Sequence, residues 1–150
     1  MFDYTNTFVM KKRKIILSVL LFMCCLACTA QITGYKVNYV TEMMKTENDL
    51  TVIDQYSVKQ LISIDYDKQM IVLGTSKIFQ IVDSVQEKNS SGGYDMRYIV
   101  FDKYSDTPYP IAIYFCRNER NQINYILFVV EAENYTSIMR LTVYETIKLK

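Results

Sequence analysis

Between Ile111 and Val130 two apolar runs, Ile111-Ala-Ile-Tyr-Phe-Cys116 and Ile123-Asn-Tyr-Ile-Leu-Phe-Val-Val130, flank the polar stretch Arg117-Asn-Glu-Arg-Asn-Gln122. β-branched and aromatic residues fill both runs and neither holds a Gly or Pro, so the pattern predicts an antiparallel hairpin. Val129 and Val130 are adjacent and both apolar, which predicts an arm buried on both faces. Upstream, Tyr35, Val37, Tyr39, Thr41 and Met43 alternate with more polar neighbours, the period of a half-buried strand. Leu50–Tyr56 has strand composition as well. Leu61–Ile64 and Met70–Leu73, separated by Asp65-Tyr-Asp-Lys-Gln69, read as a second hairpin.

Further strands are predicted over Lys77–Val85, Met96–Phe101 and Met139–Tyr144. Glu87–Gly93 reads as a flexible loop, and Asp102–Pro110 with its two prolines as a turn that ends strand pairing. No amphipathic helix interrupts this series. The pattern therefore predicts an all-β chain, a single antiparallel meander of about eight or nine strands. An open sheet of that size leaves long edges exposed, which favours a closed or flattened up-and-down barrel of lipocalin-like outline. A two-sheet β-sandwich is the alternative. Gly34-Tyr-Lys-Val37 and the early hairpin of Ile62-Ser-Ile-Asp65 with Met70-Ile-Val72 resemble small secreted bacterial β-domains of unknown function. That resemblance implies a fold and no activity.

Ahead of these strands, Lys11-Lys-Arg-Lys14 precedes an uncharged apolar run to Ala30. This reads as the n-region and h-region of a bacterial secretory signal, which predicts removal of residues 1–30, Met10 as the true start and 31–150 as the exported domain. Cys25-Leu-Ala-Cys28 supports an alternative in which Cys28 is acylated and the protein is a membrane-anchored lipoprotein. Otherwise the product is periplasmic or extracellular. The signal changes the charge as well. Lys11, Lys12, Arg13 and Lys14 are four of the 17 basic residues and Asp3 is one of the 16 acidic ones, which leaves thirteen against fifteen, near −2. Without a concentrated basic patch, nucleic acid is not an expected partner.

The chain has no His, which removes the commonest general base and zinc ligand. It carries no Gly-rich phosphate loop and no G-x-S-x-G turn. Asp65 and Asp67 lack the Gly and Glu of a calcium loop and read as turn formers, and Glu131 and Glu133 read as a solvated strand end. No metal, cofactor or catalytic residue is expected. Cys116 is the one Cys after the signal and reads as a small buried hydrophobe. Asn89-Ser-Ser91 and Asn134-Tyr-Thr136 are N-x-S/T triplets, and Asp83-Ser84-Val85 resembles a bacterial O-glycosylation acceptor.

The thirteen tyrosines hold the one functional signal. Tyr94, Tyr98, Tyr104, Tyr109 and Tyr114 gather around the flexible loop, the Pro turn and the central hairpin, a candidate binding surface. The function these features support first is a non-catalytic binding or interaction module of the cell envelope. Its partner would be an envelope protein, a glycan or a small apolar ligand. The alternatives are an inhibitor that presents Glu87–Gly93 to an envelope hydrolase, and a carboxylate-based enzyme.

Overall fold

The computed structural model describes residues 31–90, 93–106 and 109–149. The expected signal, the expected start at Met10 and the alternative acylation site Cys28 lie outside them. Among the described residues there are eight strands and no helix: β1 (Ile32–Lys45), β2 (Leu50–Asp65), β3 (Met70–Leu73), β4 (Lys77–Lys88), β5 (Tyr94–Asp102), β6 (Ile111–Arg117), β7 (Ile123–Glu131) and β8 (Thr136–Leu149). Each pairs antiparallel with the next, and β8 returns to β1, closing the ring. Strand lengths run from 4 to 16 residues, so the barrel is uneven.

Leu50–Tyr56 and Leu61–Ile64, two strands by pattern, are one continuous β2. Nothing in Ser57-Val-Lys-Gln60 stops the ladder; a register shift opposite Val37–Tyr39 absorbs the break in alternation. The central hairpin pairs Ala112 with Val129 and Phe115 with Ile126. The early hairpin pairs Ile62 with Leu73 and Ile64 with Ile71. At the Gly74 turn the backbone takes φ 64°, where a side chain would strain it.

Side chains fill the barrel. Val37, Ile62, Ile71, Val100, Ile113 and Ile126 have no exposed surface, and Phe115 is buried between Tyr35 and Tyr98 at ring distances of 5.2 and 5.4 Å. Burial on this scale, at roughly 25 cal/mol per Å² of apolar area, holds a chain that has no disulfide among its described residues. Cys116 lies in this wall, buried. Burial, and after it the charge of Asp95, pushes its thiol up to about 12.

The expectation that the second arm of the central hairpin is buried on both faces is corrected. Ile126 and Phe128 point inward and are buried, whereas Leu127, Val129 and Val130 are half-buried. Val129 faces out. Cross-strand register sets it in an outer row with Val52, Met43, Ile138, Ala112 and Ile99, and among the described residues no further layer covers that row.

Asp65 closes the β2–β3 turn, as its sequence position suggests. Its Oδ1 accepts the Lys68 N–H at 3.0 Å, and Lys68 Nζ stands 3.4 Å from Oδ2. The backbone hydrogen bond from Lys68 holds the carboxyl below the usual aspartate range. A depressed folded pKa adds stability above the unfolded value of about 3.9 and loses it as pH falls through the folded value. Urea midpoints of the wild type and Asp65→Asn are therefore expected to differ at pH 6 and to converge as pH falls through the lowered folded value. A constant gap across that range would contradict the assignment.

Candidate functional site

The ladder between β7 and β8 stops at Tyr125 and Thr142, while β8 runs on beside β1 to Leu149. A groove of about 570 Å³ opens in the gap, between the β6–β7 loop and the lower part of β8. Buried Ile123 and Val143 form its apolar floor; Tyr35, Arg117, Asn121, Asn124, Tyr144 and Glu145 form its polar walls.

Two β-bulges shape the walls. On β7, Arg117 pairs with Ile123 and Cys116 with Tyr125, so Asn124 is the extra residue. On β8, Lys36 pairs with Glu145 and Val37 with Val143, so Tyr144 is extra. A bulge re-aims a side chain that regular alternation would have placed elsewhere. Asn124 lines the groove, and its buried Oδ1 has no hydrogen-bond partner among the described residues.

The loop that holds the groove is built on Asn118. Its Oδ1 accepts the N–H groups of Arg120 and Gln122, both at 3.0 Å, and its own N–H donates to Gln122 O at 2.9 Å. Asn121 takes φ 59°, an αL position that Asn tolerates, and its carbonyl accepts Arg117 Nη1 at 3.0 Å. The guanidinium is thus aimed by the loop.

Beside the groove, Tyr66 from the β2–β3 turn is hydrogen-bonded to both Tyr35 and Tyr98. Burial first, and then Tyr66, pushes both hydroxyls above the usual phenol range, so each remains a protonated donor. Opposite, Glu145 is neutralised by Lys36 at 2.7 Å. Arg117 therefore leaves the groove with a positive wall.

Of the tyrosines singled out in the sequence, Tyr98 belongs to the core at 5% exposure, packed against Phe115 and away from the surface. Tyr94 is exposed at the start of β5, and Tyr104 and Tyr109 are exposed beyond its far end. At about 3.4 Å per residue β5 separates them by roughly 27 Å, so they form no single surface. Tyr114 is half-buried on the outer face, bonded to Arg97. The groove instead uses Tyr35 and Tyr144. A trace of it is legible: Ile123 and Ile126 are both buried but stand three apart, a spacing that period-two alternation forbids without a bulge.

The candidate loop Glu87–Gly93 is shorter than its sequence suggests, because Glu87 and Lys88 belong to β4. Asn89 clasps its ends, accepting Gly93 N–H at 2.8 Å and donating to Asp95 at 2.9 Å, so the amide of this N-x-S/T triplet is engaged. Asn134 is exposed in the β7–β8 turn, and Ser84 is exposed on β4. Glu131 and Glu133 are exposed at the end of β7. No protein-family model, curated protein or solved structure matches the chain.

Proposed function

We propose that the protein is a non-catalytic interaction module of the cell envelope, which recognises its partner in the groove between the β6–β7 loop and β8. The filled barrel is the observation that carries this reading. With Phe115 clasped by two tyrosines and six aliphatic side chains fully enclosed, the interior leaves a small apolar ligand little room, so recognition falls to the surface. The groove has the apolar floor, polar rim and oriented cation that a selective surface site needs. The outer apolar row from Val52 to Ile99 supports a second reading, in which a partner protein lies across the barrel wall.

The test uses the exported protein, immobilised and exposed to an envelope extract. Wild type is expected to retain a partner that Arg117→Glu and Tyr144→Ala retain at least tenfold less, while a fluorescent fatty acid fails to bind. Fatty-acid binding displaced by natural lipid would restore the carrier. Capture insensitive to both variants would move the contact to the outer row.

A further inference from the structure

Among the described residues three long stretches of strand have a neighbour on one side only. β2 from Leu50 to Gln60 has β1 alone, β4 from Val82 to Lys88 has β5 alone, and β8 from Val143 to Leu149 has β1 alone. Such edges are templates for pairing with another chain, and proteins blunt them.

All three carry the same local sequence pattern, a bulged apolar or aromatic residue followed by an acid. On β2 the bulge is Ile53, and the next residue, Asp54, turns its Oδ1 onto the Gln55 N–H at 2.7 Å. On β4 the bulge is Val82, and Asp83 does the same to the Ser84 N–H at 2.8 Å. The carboxylate occupies the donor that an incoming strand would use.

On β8 the bulge is Tyr144, but the acid is Glu145, one methylene longer and drawn to Lys36 on β1 at 2.7 Å. Among the described hydrogen bonds no side chain caps this edge. It is also the stretch that forms the wall of the groove, facing Arg117 and the unpartnered Asn124 Oδ1.

We propose that the groove binds an extended acidic peptide, which adds as a strand to the uncapped edge of β8 and places a carboxylate on Arg117. This rests on the interaction role argued above and names its ligand. Strand addition takes affinity from main-chain hydrogen bonds and specificity from side-chain pockets. Tyr144, Glu145 and Thr146 offer a strip of about 10 Å, enough for three or four residues at ~3.4 Å each. Ile123 and Val143 receive the apolar side chains on one face of the peptide. Arg117, already aimed by the Asn121 carbonyl, forms a charge-assisted pair with the acid.

Two peptides blocked at both ends, Thr-Val-Asp-Val-Thr and Thr-Val-Asn-Val-Thr, test this by amide NMR titration of the exported protein. The Asp peptide is expected to shift signals of Val143–Leu149 and slow their hydrogen exchange, and to bind at least tenfold tighter than the Asn peptide. Arg117→Gln is expected to erase that preference. Tyr144→Ala, at an exposed bulge, is expected to weaken both peptides about fivefold, with circular dichroism confirming that each variant is folded. Equal binding of the two peptides, shifts confined to other strands, or no binding would each overturn the proposal. If peptides fail while the envelope partner is still lost in Arg117→Glu, the groove keeps its role and only the ligand is wrong. If no partner is captured either, the interaction role falls with it.

Discussion

Phe115→Ala is expected to lower the unfolding free energy by about 3–5 kcal/mol, the range for deleting a fully buried aromatic ring. Phe115 is 2% exposed, and its ring meets Tyr35 at 5.2 Å and Tyr98 at 5.4 Å, the latter edge-on. The truncation removes the transfer energy of the ring, leaves a cavity, and breaks two aromatic contacts worth about 0.5–1.5 kcal/mol each. A domain of this size has roughly 5–15 kcal/mol in total, so the loss is a large fraction of its stability. Equilibrium urea unfolding measures the loss, and near-ultraviolet circular dichroism reports the freed tyrosines. A loss below about 1 kcal/mol would mean that the barrel collapses onto the site, or that the interior is not packed as described.

Asp95→Ala is expected to destabilise the domain by about 2–3 kcal/mol, the scale for removing a charged acceptor from partly buried donors. Its Oδ1 accepts the Arg117 N–H and the Asn89 Nδ2, both at 2.9 Å. The loss unties the β4–β5 turn from the end of β6, next to the groove. A second effect follows in the thiol. Burial is the larger cause of the raised Cys116 pKa and Asp95 the next, so the variant should ionise at a lower pH than the wild-type value of about 12 while staying above an ordinary thiol. Alkylation rates between pH 8 and 11 read the change, because more thiolate at each pH is expected to make the variant react faster than the wild type. An unchanged profile alongside lost stability would make Asp95 a purely structural clasp.

Both variants sit where local and long-range information meet. The partners of Phe115 come from β1 and β5, and those of Asp95 from the ends of β4 and β6. No local pattern brings these residues together.

What the sequence determined by itself is the strand inventory and the antiparallel class. Period-two alternation marks half-buried strands, and Asp65 and the Asn118 loop carry turn chemistry that acts within five residues. The two hairpins follow from those local signals, and closure of the meander follows from the need to remove edges. Tertiary structure alone decided the site. Period-two reasoning places Tyr98 among surface tyrosines as readily as in the core, because it fixes which residues share a face but not which face is inside. Bulges at Ile53, Val82, Asn124 and Tyr144 shift that parity, and each is defined only by the register of a partner strand. The groove exists because β7 stops pairing while β8 continues, a mismatch between strands that neither sequence contains. Which edge stays open was settled by one methylene and one cross-strand lysine: the shorter Asp54 and Asp83 fold back on their own backbone, and Glu145 reaches Lys36, 109 residues away in the chain.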